Sequence, residues 1–192
     1  MRRRGFMAVA CAVALHGWSR AAAARGDGGR VLLPDVRLRD HAGGLHRLRA
    51  LCEGRPAVVG FFYTGCSTVC PPQTAALRAL RERLDDAATA AALRRTLLLS
   101  ISVDPLADSP QAISAYAQRF GLRLGRDAGW LMLGGDLAEL RPVWAAFGVP
   151  AGDPEAHSSL LWLGGGRQGP WTRASALAPT ARLVALLEGL AT

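Results

Sequence analysis

A chain of 192 residues, half of them hydrophobic, with 22 glycines and 11 prolines, suits one globular domain with a sizeable core and is short for two. Its formal charge of +8 reads as a nucleic-acid footprint only until it is located: residues 1–24 hold four arginines and no acid, which leaves +4 for the remainder. Lysine is absent, and the arginines are interspersed with acids in stretches such as "RALRERL", so they form a solvated surface and nucleic acid is not expected as a partner.

The chain opens with "MRRRGFMAVACAVALHGWSRAAAARG". Arg2, Arg3 and Arg4 precede an apolar run from Phe6 to Trp18 and a small-residue patch from Ala21 to Ala24, the layout of an export signal. Arg3 to Met7 also resembles a twin-arginine signal, which implies translocation of a folded protein. The rival reading is an uncleaved anchor: an apolar core of about 13 residues is short of the roughly 20 that span a bilayer, but Ala21 to Ala24 extend it if Arg20 snorkels. Cys11 lies within the apolar run and is read as part of it. Residues 1–24 are therefore expected to be a signal peptide or N-terminal anchor that directs the protein to the periplasm or ties it to the inner membrane. The folded domain is expected over residues 31–190.

Within that domain, "VLLPDVRLRD" and "GLHRL" alternate apolar with polar residues around "HAGG", predicting an edge hairpin. "PAVVGFFY", residues 56–63, is almost wholly apolar, the pattern of a central strand covered on both faces. Two cysteines follow in "TGCSTVCPP", and then Ala76, Leu77, Leu80 and Leu84 recur at helical spacing, with Pro71 and Pro72 placed in the first turn. "TLLLSISV" predicts a second buried strand. "DSPQAISAYAQRFG" predicts a helix with Asp108 or Ser109 as N-cap, Asp108 preferred, Pro110 at N1 and Gly121 as its stop. "WLMLGG" is a short strand, and "DLAELRPVWAAFG" a helix with Leu137, Leu140, Trp144 and Phe147 inward and a kink at Pro142. The loop "VPAGDPEAH", the strand "SSLLWLG", the turn "GGRQG" and a helix from about Pro179 to Leu190 complete the chain. Strands alternating with helices and closing on a β-hairpin and helix give an α/β, thioredoxin-like sandwich: a central mixed sheet flanked by helices, with an N-terminal hairpin extension.

Removing Cys11 with the leader leaves Cys52, Cys66 and Cys70, an odd number for an oxidising compartment. Cys52 is expected to be a half-buried free thiol without a role. Cys66 and Cys70 lie between the carboxyl end of a central strand and the amino end of a helix, where backbone N–H groups and the helix dipole favour thiolate. At i and i+4 in a helical turn their Cα atoms would be about 6 Å apart, close enough for a disulfide or for one shared metal ion. Dithiol reductases of this fold place two residues between their cysteines, whereas here there are three, Ser67, Thr68 and Val69. A disulfide joining the pair would close only a short loop and remove little unfolded-state entropy. His157 stands at the end of the loop entering "SSLLWLG", which in this fold lies beside the cysteines; His41 and His46 are read as solvated or hydrogen-bonded. Two thiolates and one imidazole form a soft, low-coordinate set that suits copper, while a structural zinc site would want a fourth protein ligand.

The segments "FFYTGCSTVCP", "SVDPLADSP", "AYAQRFG" and "HSSLLWL", in this order, resemble the Sco/SenC family of thioredoxin-fold copper-binding proteins over roughly residues 31–190. The resemblance implies Cys66, Cys70 and His157 as copper ligands, and Asp104, Pro105 and Asp108 as a supporting segment near the site. It implies assembly of the dinuclear copper A centre of cytochrome c oxidase, by copper delivery or by thiol reduction. Its expected partners are subunit II of the oxidase or another copper acceptor, and a periplasmic copper donor or thiol reductant. Mitochondrial members carry Pro-Asp where this chain has Ser67-Thr68, but the same departure from Pro-Asp occurs among bacterial members, so the ligands stand; the short apolar leader leaves the mode of attachment open. A thiol-disulfide oxidoreductase using the same cysteine pair is the alternative.

Overall fold

The computed structural model describes residues 29–165 and 169–191. The expectations for the leader and for Cys11 lie outside them. In chain order the elements are β1 (Gly29–Arg30), β2 (Arg37–Asp40), β3 (Leu45–Arg47), α1 (Leu48–Cys52), β4 (Pro56–Phe62), α2 (Cys70–Asp85), α3 (Ala91–Arg94), β5 (Leu97–Ser102), α4 (Pro110–Arg119), β6 (Trp130–Gly134), α5 (Leu137–Phe147), a 3-10 turn (Pro154–Ala156), β7 (Leu160–Gly165), β8 (Pro170–Ser175) and α6 (Thr180–Ala191). The strands form one sheet in the order β1-β8-β7-β4-β5-β6-β2-β3. β4, β5 and β6 run parallel, and β7 lies antiparallel to β4 with Gly60 opposite Leu161.

Alternate residues of β4 feed two separate cores, as period-two side-chain alternation requires. Val58 joins Leu98, Leu161 and Leu163 beneath the leucines of α2 and α6. Ala57, Val59 and Phe61 face the opposite side, where α5 and the segment leading into β2 pack. With both faces covered, every side chain from Ala57 to Phe62 is buried, which explains a strand with no polar residue. Gly60 is required by close packing: a Cβ there would stand 2.9 Å from Leu161 Cδ2.

The thioredoxin-like sandwich, the edge hairpin and the central strand agree with their sequence patterns. Differences arise where tertiary contacts override local signals. Residues 31–36 bury Val31, Leu33 and Val36, the alternation slipping by one residue at Pro34-Asp35, and join no ladder, so the strand begins only at Arg37. Ser109 caps α4, its hydroxyl accepting from the Ala112 N–H at 3.2 Å. Asp108 is not the cap, because its carboxylate is taken up by Thr64 and Ser102. Leu137, expected inward, is 44% exposed at the first position of α5; Val143 takes its place beside Leu140, Trp144 and Phe147. Pro142 lies on the exposed face of the same helix, which ends on Gly148 at φ +67°. Short helices at Leu48–Cys52 and Ala91–Arg94 occupy stretches without a readable period.

Phe61 sits at the middle of the larger core, its ring 5.4 Å from Trp162 and 5.7 Å from Phe147 in edge-on contacts. Truncating it leaves a cavity that the surrounding sheet does not collapse. Phe61→Ala is expected to lower unfolding free energy by about 3–5 kcal/mol, measured by urea denaturation of the reduced protein.

Candidate metal centre

The parallel pair β4 and β5 delivers two loops to the same end of the sheet, and antiparallel β7 begins there. The loop of residues 63–69 carries Cys66, Cys70 is the first residue of α2, and His157 precedes β7 by three residues. Cys66, Cys70 and His157 are 6%, 0% and 5% exposed, and Cys70 is the link between them, in contact with Cys66 on one side and His157 on the other.

The Cys70 sulfur lies 3.5 Å from His157 Nε2. His157 Nδ1 contacts the Pro154 carbonyl; only a protonated Nδ1 can donate there, which leaves the Nε2 lone pair directed at Cys70. The Cys70 N–H donates to the Cys66 sulfur at 3.3 Å, and the Cys66 N–H donates to the Tyr63 carbonyl at 3.2 Å. Cys66 therefore precedes the helix instead of sharing its first turn, a departure from the helical i, i+4 geometry expected. Among the described residues no group of three or more His, Cys, Asp or Glu side chains is arranged to hold a metal ion, and the Cys66 sulfur accepts from the Cys70 N–H. The cysteines are free thiols, as is Cys52, which is fully buried rather than half-buried.

The two thiols are electrostatically unlike. Burial pushes Cys66 up, but hydrogen bonds from the Cys70 thiol and from the N–H groups of Cys70, Thr68 and Val69 outweigh it and bring the pKa down to about 7. Burial, then the Cys66 sulfur, drive Cys70 far above the usual thiol range. Burial also raises Cys52, to about 12.

Asp108 supports the loop through a contact the sequence did not reveal. Its Oδ1 accepts from the Thr64 N–H at 2.8 Å and the Thr64 hydroxyl at 2.7 Å, and its Oδ2 accepts from the Ser102 hydroxyl at 2.6 Å. Burial raises its pKa, against the hydrogen bonds from Ser102 and Thr64. Asp104 acts one step away: its carboxylate accepts from the N–H groups of Leu106 and Ala107, and its carbonyl from the Asp108 N–H, shaping the loop that presents Asp108. Thr64 and Ser102 are 38 residues apart and carry no periodic signal; the resemblance implied that Asp108 lies near the site, but not which groups its carboxylate holds. His46 is hydrogen-bonded to Asp40 at 2.6 Å in the edge hairpin.

Two measurements follow from this geometry. Cys66 alkylation by iodoacetamide requires the thiolate, so its rate should rise as pH increases through about 7 and then level off, while Cys70 and Cys52 stay unmodified; mass spectrometry of peptides gives the assignment. Asp108→Ala strands the Thr64 and Ser102 donors and should cost about 1–3 kcal/mol, with faster amide hydrogen exchange at Thr64 and Cys66.

Comparison with known proteins completes the picture of this fold. BsSco, a member of the Sco family of cytochrome c oxidase assembly proteins in which a disulfide switch has been identified, superposes with a TM-score of 0.69 at 22% identity, over 86% of this chain and 96% of that one. A SCO1/SenC family lipoprotein from Bacillus anthracis gives 0.68 at 22% identity, covering 86% of this chain and 98% of that one. Bradyrhizobium japonicum ScoI with copper bound gives 0.62 at 23% identity, covering 85% and 98%. No curated protein matches the sequence. The SCO1/SenC family model matches residues 30–190, every element from β2 to α6 and the whole of the cysteine–histidine site among them, and the chain belongs to the SCO1/SenC family.

Proposed function

We propose that the protein is a copper-binding assembly factor for the copper A centre of cytochrome c oxidase, holding copper through the Cys66 and Cys70 thiolates and the His157 imidazole. The observation that carries the reading is the 3.5 Å separation of Cys70 Sγ and His157 Nε2, with Nδ1 already occupied by Pro154. Bonds of about 2.3 Å to sulfur and 2.0 Å to nitrogen, as in zinc sites, span that gap at an angle of roughly 110°. The third donor is the Cys66 sulfur, which sits beside the Cys70 N–H at 3.3 Å. Two soft sulfurs and one imidazole favour copper over harder cations. The copper-bound state of the Bradyrhizobium japonicum relative supports the same cargo.

Copper is here cargo, passed to subunit II of the oxidase or another acceptor by exchange of one protein thiolate for an acceptor thiolate, and received from a periplasmic donor. Oxidation of Cys66 and Cys70 to a disulfide releases two protons and two electrons to a thiol-oxidising partner and removes both sulfur ligands, switching binding off. Residues 31–190 form the functional domain, and residues 1–24 export it or anchor it at the inner membrane. The lipoprotein character of the Bacillus anthracis relative supports a membrane-side location. No helix among the described residues is long and apolar enough to cross a membrane.

One observation favours a second reading, a thiol-disulfide oxidoreductase: a thiolate-poised Cys66 next to a protonated Cys70 is the asymmetry of an attacking and a resolving cysteine. Copper titration of the purified, reduced protein separates the two. One tight equivalent with thiolate-to-copper absorption is expected, lost after oxidation and weakened by His157→Ala by about 10- to 100-fold or more. Absence of tight copper, together with steady turnover of a disulfide substrate that is indifferent to His157→Ala, would establish the oxidoreductase instead.

A further inference from the structure

Cys66, Cys70 and His157 have an aromatic neighbour that neither reading uses. Tyr63 leaves the end of β4 with its ring edge-on to the His157 imidazole, the centroids 5.5 Å apart and the planes at 81°. The same ring lies against Gly65, 3.6 Å from where a Cβ would stand, and the Tyr63 carbonyl accepts the Cys66 N–H at 3.2 Å. One residue thus touches the imidazole, the backbone just before Cys66 and the turn that holds Cys66. It is half-buried, while the three residues behind it are almost completely enclosed.

The polar contacts of the imidazole, Nδ1 to the Pro154 carbonyl and Nε2 to the Cys70 sulfur at 3.5 Å, both meet the ring at its nitrogens, and the long sulfur contact restrains its tilt only weakly. An edge-on aromatic neighbour removes the remaining freedom, since the positive edge of one ring prefers the negative face of the other. The Pro154 carbonyl itself belongs to a 3-10 turn with no buried residue, so the rigid partner of His157 is the one attached to β4.

We propose that Tyr63 is the positioning residue of the site: its ring fixes the plane of the His157 imidazole and packs on the backbone just before Cys66, so that it sets how fast an outside thiol or electrophile reaches Cys66. This role belongs to the metal-free chain. Only its consequence, slower surrender of copper to a competing thiol, rests on the function proposed above.

The test uses the full chain, reduced and metal-free, with Tyr63→Ala, Tyr63→Leu and Tyr63→Phe. Iodoacetamide alkylation of Cys66 is followed well above its titration range, where the rate reports access and not thiolate fraction. Tyr63→Ala is expected to speed it by roughly three- to tenfold, the equivalent of one aromatic contact, and Tyr63→Phe to restore the original rate. The His157 ring protons, read by NMR, should lose their ring-current displacement in the Ala and Leu variants and keep it in Phe. Tyr63→Leu retains apolar bulk, so it supplies the NMR result if the Ala variant unfolds. Unchanged alkylation and unchanged ring-proton shifts in folded Tyr63→Leu or Tyr63→Ala would overturn the proposal, whether or not copper binds. In protein loaded with copper, capture by a thiol chelator should accelerate in the Ala variant. Tight copper with no such acceleration would leave the copper reading standing and remove the role of Tyr63 in release.

Discussion

Antiparallel pairing of β7 with β4, Gly60 opposite Leu161, is the constraint on which the site depends. A strand entering antiparallel beside β4 must begin where β4 ends, so the residues just before β7 meet the loop just after β4. That register brings His157 to Cys70 across 87 residues of sequence. A parallel neighbour would have sent the same histidine to the opposite end of the sheet. The register is itself held by packing: Gly60 gives Leu161 the room it occupies, and the Gln73 amide nitrogen donates to the Phe61 carbonyl at 2.7 Å, clamping α2 to the same strand. A residue slip would turn the buried set Leu161 and Leu163 to the other face, so the hydrophobic pattern that makes the fold also sets the position of the histidine.

The second parallel strand adds the control. β5 ends at Ser102, and the loop beyond it returns Asp108 to Thr64, two residues before Cys66. The carboxylate is buried, which favours its neutral form, and three donors aimed at its two oxygens offset only part of that effect. The cysteine loop is therefore tied at both ends, by β4 and by the first turn of α2, and in its middle by Asp108. Such a loop holds the Cys66 sulfur near the N–H groups of Thr68, Val69 and Cys70, and these donors are what separate its acidity from that of Cys70.

Much of this was legible in the sequence because it is written in patterns of local period. The apolar run of residues 57–62 announced a strand covered twice, and the Ser109-Pro110 start of α4 announced its helix. The ligand candidates were legible for a different reason: cysteine and histidine carry chemistry that few positions tolerate by chance, and the topology inferred from the strands told which loops would meet. What stayed hidden depends on contacts between residues far apart with no period to mark them. Asp108 read as a helix cap from its local pattern and as a residue near the site only through the family resemblance, since nothing in "SVDPLADSP" says that Thr64 competes for it and wins. Leu137 looked like core because helical spacing does not say how far a helix face extends past its first turn. Tyr63 looked like the last residue of a strand, and only the placement of His157 gives its ring a neighbour.

The burial of the donors bears on how such a site gives anything up. A sulfur with no exposed surface, as at Cys70, cannot be approached by an incoming thiol without displacing its cover, whereas Cys66 lies in a loop whose next three residues are all exposed. The lower pKa belongs to Cys66 as well, so the better-accessible sulfur is also the one that is deprotonated near neutrality. The two sulfurs are thus unequal toward an incoming thiol: Cys66 is the reachable one, while Cys70 is held as the first residue of α2 and His157 by the pairing of β7 with β4. The exposed residues Ser67, Thr68 and Val69 lead from Cys66 into the helix, so the asymmetry of the pair follows from which of its two ends is anchored in α2.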